Sequence, residues 1–245
     1  MSNPFAQRLR GHGPLTEDEV ALLTAACQST RELPAGFHLI REGDCPDPVF
    51  VMLEGWAFRY KILPDGGRQI IAFMLPGDFC DVHISVLEEM DHSIVTLTKS
   101  RVAAIPHTQM EALVESRPSI TRAFWWSQLV DQGILRAWIV SMGRRKATER
   151  VAHLMCELYI RMRNIGMATD DRCEMPLTQI VLADAVGLTP VHVNRVLRRL
   201  RLEKVMELRS GSLKIIDPAK LARIAGFDDN YLHGRLNKAR LVLAA

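Results

Sequence analysis

The sequence predicts an α+β chain in two parts joined by one long apolar helix. The first part is a small sandwich or barrel of short strands. The second is a helical compartment built on a helix–turn–helix with a hairpin beside it. Three observations carry this reading. Residues 177–201 run LTQIVLADAVGLTPVHVNRVLRRLR, with apolar residues where two crossing helices share a small core. Between residues 31 and 106, short apolar or alternating runs are cut by Gly, Pro and Asp. Charge divides with the pattern: residues 1–140 hold 12 Lys and Arg against 17 Asp and Glu, and residues 141–245 hold 19 against 11. The basic part suits a polyanion and the acidic part does not.

Taken in order, Thr16 with Glu19 three residues later marks the start of a helix over 16–30. Strands are expected at 37–40, 49–53, 56–62, 69–75, 93–97 and 102–105, with turns at Glu42-Gly43-Asp44, Glu54-Gly55, Asp65-Gly66-Gly67 and Pro76-Gly77-Asp78. A short helix follows at 107–115. The segment 118–141 then carries Ile120, Phe124, Trp125, Trp126, Leu129, Val130, Ile134, Leu135, Trp138 and Ile139. That is more apolar surface than one stripe against a single core requires, so a second copy of the chain is expected to cover part of it. Phe124, Val130, Ile134 and Trp138 are the residues assigned to that seam. Met142-Gly143 reads as a hinge before a helix over 144–162.

In the basic part, Leu182, Val186, Leu188, Val193 and Val196 supply the shared core, and Ala183 is small enough for close approach. Gly187 provides the permissive turn, Thr189 a cap and Pro190 a first-turn residue. The outer face of the second helix then presents His192, Asn194, Arg195, Arg198 and Arg199. A short helix with a basic outer face is what the major groove of DNA admits. Ser210-Gly211 lies at the tip of an expected hairpin, which makes the arrangement winged. A short helix at 218–225 precedes a weakly specified tail.

Composition narrows the class. At 48% hydrophobic and 24% charged, the 245 residues are those of a globular protein. No apolar run reaches 18 residues and the N-terminus lacks a signal-peptide core, so no membrane association and a cytoplasmic location are expected. Cys27, Cys45, Cys80, Cys156 and Cys173 show none of the close spacings of a disulfide framework, a zinc site or an iron–sulfur site, which points to reduced thiols. Paired carboxylates at helical spacing, a nucleophile elbow, a phosphate loop and His-Glu-x-x-His are all missing, so no enzyme is expected.

Several segments in fixed order carry a family resemblance: Arg41-Glu-Gly-Asp, Val51-Met-Leu-Glu-Gly, Pro76-Gly-Asp-Phe, the helix from Pro118, and residues 182–200. Together they resemble the catabolite activator and fumarate–nitrate regulator family of bacterial transcription factors over about residues 15–225. The resemblance implies a cyclic-nucleotide-binding-like jelly-roll β-barrel at 1–117, a dimerisation helix and hinge at 118–142, and a winged helix-turn-helix at 143–245. It further implies a homodimer on a palindromic double-stranded operator, with RNA polymerase as a further partner if the protein activates.

The family's cyclic-nucleotide members follow the Gly-Asp-Phe type of turn with Gly-Glu-Leu, and later carry an Arg-Ser or Arg-Thr pair. Here the first segment reads Gly77-Asp-Phe-Cys-Asp-Val-His, and His92 stands in the arginine's place before Ser93. A neutral imidazole replaces an arginine fork poorly at a phosphate, so cyclic AMP is not expected to be the ligand. The first 26 residues hold no cysteine, which removes the iron–sulfur sensor. Cys80 and His83 resemble the ligand pair of the family's haem-based sensor, which leaves haem or redox sensing as an alternative. Cys80, Asp81, His83, His92 and Ser93 therefore mark a possible sensor pocket of unknown effector.

For DNA, Arg195 matches the family's guanine-reading arginine. Val191 stands where a glutamate is usual, and Pro190 where the catabolite activator has another arginine. His192 and Asn194 are candidates for the lost base reading. Thr178, Gln179, Thr189, Arg198, Arg199 and Lys214 are candidates for phosphate contacts. A winged domain that holds another protein is the rival from a different class.

Overall fold

Alternation along two central strands organises the first of two compact units, Met1–Leu129. In β3 (Val49–Glu54) and β7 (Ser100–Ile105), Val49, Val51, Leu53, Ala103 and Ile105 enter one core, while Phe50, Met52, Val102 and Ala104 enter another. Successive strand side chains point to opposite faces, so strands buried throughout separate two apolar layers. The computed structural model describes residues 3–11, 14–45, 47–80 and 89–233. In it β1 (Thr30–Leu33) completes an antiparallel sheet of order β1-β7-β3. A second antiparallel sheet has the order β2-β6-β4-β5, from β2 (His38–Ile40), β4 (Ala57–Ile62), β5 (Arg68–Met74) and β6 (Ser93–Thr96). One core lies between the two sheets. The other lies beneath α1 (Pro4–Arg10), α2 (Glu17–Ala26), α3 (His107–Ser116) and the first half of α4 (Pro118–Arg144).

These sheets are open, which corrects the closed jelly-roll barrel expected from the sequence. Among the described residues, β1 and β3 end one sheet, β2 and β5 end the other, and only a single bridge from Val51 to Phe79 extends beyond β3. Short strands between turns specify which face of each strand is apolar. They do not specify which edges pair, and the register shifts in β2, β3 and β4 bend the strands locally.

Helix α1 has no counterpart in the sequence reading. It buries Phe5 and Leu9 completely, and Phe5 packs against Phe79 and Phe124 with ring centroids 5.7 and 5.9 Å apart. Arg8 pairs with Asp78 and donates to Ser127 Oγ at 3.3 Å. Helix α2 starts with the capping box expected at Thr16 and Glu19.

The second unit, Val130–Ala245, is organised on α5 (Ala147–Asn164), which is buried on most of its surface from Val151 to Met162. Around it stand the second half of α4, then α6 (Gln179–Val186), α7 (Pro190–Leu202) and α8 (Pro218–Ala225). A small antiparallel sheet of order β8-β10-β9 is formed by β8 (Arg172–Glu174), β9 (Met206–Arg209) and β10 (Ser212–Ile215). Helix α4 runs through Met142 and Gly143 to Arg144, so the break before α5 falls at Arg145-Lys146 instead of the hinge read from the sequence. Among the described residues no single helix is long and apolar enough to cross a membrane.

Candidate nucleic-acid interface

The turn between α6 and α7 is set by local chemistry. Thr178 caps α6 by accepting from the Val181 amide at 3.2 Å, and Thr189 caps α7 by accepting from the His192 amide at 3.2 Å. Gly187 ends α6 in the left-handed region at φ 61°, and a Cβ there would lie 2.5 Å from Met142 Cε. The left-handed conformation therefore favours glycine, and a larger residue would also have to displace the end of the Met142 side chain. The chain bends through 102° between the helices, within the range of helix-turn-helix motifs. Leu182, Ala183, Val186, Val193 and Val196 fill the shared core as read from the sequence, whereas Leu188 is half-buried.

Burying Val193, Val196 and Leu200 turns the opposite face of α7 to solvent. Val191, His192, Asn194, Arg195, Arg198 and Arg199 are all exposed there. Arg195 and Arg198 have no ion-pair or hydrogen-bond partner among the described residues, which leaves both guanidinium groups available. Arg199 differs: its Nε donates to Glu203 Oε1 at 2.8 Å. Glu203 also lies 3.6 Å from Lys220 Nζ, and the Arg199 hydrogen bond holds its carboxyl below the usual range. Thr178, Gln179 and Thr189 are exposed at the starts of α6 and α7, where amide groups face outward. Lys214 sits on β10, 3.8 Å from the Asp171 carboxylate. Ser210 and Gly211 both have positive φ and close a two-residue hairpin between β9 and β10. Strand β8, absent from the sequence reading, lies along the other side of β10.

Sequence reasoning missed Arg150. Its Nη1 donates to the Val186 carbonyl at 2.6 Å, and its Nη2 donates to the carbonyls of Met142 and Arg145 at 3.1 and 3.2 Å. One guanidinium thus satisfies carbonyls at the ends of α4 and α6. Spacing within α5 gave no signal for partners so distant in sequence.

The residues assigned to a sensor pocket belong to the first unit. Cys80 is buried in the core between the sheets, and its amide donates to the Phe50 carbonyl at 2.8 Å. His92 is buried with Nδ1 2.6 Å from Asp91 Oδ1. Ser93 Oγ accepts from the Glu42 amide at 3.0 Å. Asp81 and His83 lie outside the described residues. Among the described residues no group of three or more His, Cys, Asp or Glu is gathered for a metal ion.

Helix α4 buries one of its two apolar stripes within the chain. Phe124, Val130, Ile134 and Trp138 are each less than a tenth exposed within a single chain. The uncovered apolar residues lie on the other side of α4: Trp125 and Leu129 in its first half, and Leu135, Ile139 and Val140 in its second. An apolar helix with two stripes has a period that does not tell which stripe the chain itself covers.

Comparison with known proteins agrees with this geometry. The cyclic nucleotide-binding domain family matches residues 30–117, and the Crp-like helix-turn-helix domain family matches residues 149–224. The chain is 29% identical over 192 residues to the nitrogen fixation regulation protein FixK of Bradyrhizobium diazoefficiens, covering 78% of this chain and 79% of that one. It is 27% identical over 208 residues to the transcriptional activator protein FnrL of Cereibacter sphaeroides, covering 82% of each. In fold it resembles FixK2 from Bradyrhizobium japonicum, with a TM-score of 0.72 at 20% identity over 82% of this chain and 98% of that one. A nucleotide-binding-type domain followed by this winged helix-turn-helix defines a class of DNA-binding regulators. The chain belongs to the Crp/Fnr family of transcriptional regulators.

Proposed function

We propose that this regulator grips a palindromic operator as a two-fold homodimer. Residues 1–117 serve as the sensor domain, 118–142 as the dimerisation helix and 143–245 as the DNA reader. The exposed face of α7 carries the reading. Arg195, unpartnered and near the start of the helix, takes a guanine through O6 and N7. Val191 offers only apolar contact, such as a thymine methyl, and His192 and Asn194 supply further edge contacts. Thr178, Gln179, Thr189, Arg198 and Lys214 hold phosphates, with Arg199 joining once it leaves Glu203. Trp125, Leu129, Leu135, Ile139 and Val140 form the seam between the two copies. RNA polymerase is a further partner where the regulator activates. The relatives carry the names of regulators, and an enzymatic role has no support in the site.

Cyclic AMP is not the switch in this proposal. The position where the family's nucleotide members use an arginine is held by His92, which is buried and turned to Asp91. Genomic footprinting tests the function: an inverted repeat beneath the protected sites is expected, and protection without a shared sequence would overturn the proposal. Calorimetry with cyclic AMP tests the second point, with no saturable binding below about 10 μM expected.

A further inference from the structure

Residues 226–232, just beyond α8, pack back onto the second unit. Gly226 ends α8 in the left-handed conformation, and Arg145 at the end of α4 donates from Nε to the Ala225 carbonyl at 3.2 Å. The following residues cross α5 and reach α4. The Phe227 ring sits 5.1 Å from the His153 ring, and the Tyr231 ring stacks on His153 at 5.9 Å and 13°. Tyr231 Oη donates to Glu157 Oε2 at 3.0 Å, and Trp138 Nε1 of α4 donates to the same carboxylate at 3.1 Å. Glu157 is fully buried, with Arg161 of its own helix 3.7 Å away. On α4, Gly133 faces the Tyr231 carbonyl so closely that a Cβ would lie 2.8 Å from it.

This segment lies beyond the residues matched by the helix-turn-helix family, which end at 224. It touches α4 by backbone contact at Gly133 and shares a buried carboxylate with α4 through Trp138. A buried carboxylate with donors from two other elements fixes their relative placement, because losing either donor leaves part of its buried hydrogen-bonding capacity unmet.

We propose that residues 226–232 form a strap that locks the second half of α4 to the DNA-reading unit, with Tyr231 as the positioning residue, and thereby sets the spacing at which two recognition helices meet an operator. The inference rests on the homodimer reading. In a dimer paired through α4, each recognition helix is carried on α5, so slack between α4 and α5 becomes slack in the distance between the two copies of α7. Half-sites lie about one helical turn, roughly 34 Å, apart, and a locked joint discriminates spacings that a loose joint tolerates.

Full-length Tyr231→Ala and Gly133→Ala disturb the lock from its two sides. Alanine favours helix over glycine, so loss of function in Gly133→Ala is not a loss of helix propensity. The probes are the selected palindromic duplex, a duplex with one half-site, and palindromes with the spacer changed by one or two base pairs. Both variants are expected to bind the single half-site within threefold of wild type. They should bind the palindrome at least tenfold more weakly and lose most of the preference for the native spacer. Parallel losses on both duplexes, or an unchanged spacer preference, would overturn the strap. A wild-type protein that binds the palindrome as a monomer would sink the homodimer reading and the strap with it, a result visible before any variant is made.

Discussion

Glu203 accepts from Arg199 at 2.8 Å and so occupies, one turn away on the recognition helix, an arginine that the sequence offers to DNA. Arg198, next to it, has no partner among the described residues. The two neighbours should therefore differ on DNA. Arg198→Ala should weaken binding to all sequences and lower the salt slope by about 0.9. Glu203→Gln should strengthen binding to specific and random duplexes alike and steepen the slope by up to about 0.9. Affinities measured across a salt series check both, and an unchanged slope in Glu203→Gln would remove Arg199 from the phosphate contacts.

Arg150 holds three carbonyls at the ends of α4 and α6. Hydrogen bonds from a charged donor contribute about 1.5–3 kcal/mol each when a partner is stranded. Arg150→Leu should cost about 3 kcal/mol of stability, read as a lower urea midpoint, and should reduce operator binding. An unchanged midpoint would mean that water replaces the guanidinium at no cost.

The two stripes of α4 predict opposite consequences. Ile139 is exposed, so Ile139→Glu should yield monomers in sedimentation at micromolar concentration with little change in melting temperature. Ile134 is buried within the chain. Ile134→Ala should cost about 2–5 kcal/mol while leaving the dimer intact. Dimers that survive Ile139→Glu and Leu135→Glu together would place the seam elsewhere.

His153 of α5, packed against the strap, has its pKa lowered from 6.5 to about 4 by burial first and by Arg145 second. Between those values the unfolded chain takes up a proton that the folded chain refuses. Stability is therefore expected to fall as pH drops through that window, by about 3 kcal/mol at its lower end. Glu157 acts in the other direction: burial raises its pKa, so its contribution is full at low pH and is lost as pH rises through the raised value. His153→Phe should flatten the acid side of the stability profile in thermal melts between pH 4 and 7. A profile as steep as wild type would assign the acid loss to other groups.

The reader domain was legible in the sequence because its signals are local. Gly187, Thr189 and Pro190 each answer a demand made by residues within one helical turn. The core positions from Leu182 to Val196 follow from periodicity alone. What escaped depends on distant partners. Phe5 looks like any residue near a terminus until Phe79 and Phe124 are placed around it. Tyr231 lay in an unspecified tail because Gly133, His153 and Glu157, its partners, are between 74 and 98 residues away. Strand β8 is three residues long, too short for alternation to show. Closure of the first-unit sheets was misread because edge pairing leaves no trace in strand patterning. Which stripe of α4 the chain itself buries was not legible because both stripes are apolar.

The central claim is that α7 reads an inverted repeat and that Arg195 specifies a base within it. Binding-site selection from a randomised duplex pool, run on wild type and Arg195→Ala, tests it directly. Wild type should enrich an inverted repeat. Arg195→Ala should flatten preference at one symmetric position in each half-site, a loss of about 1–3 kcal/mol of discrimination, and keep the remainder. A wild-type pool without an inverted repeat, or an Arg195→Ala pool with the wild-type preference at every position, would contradict it.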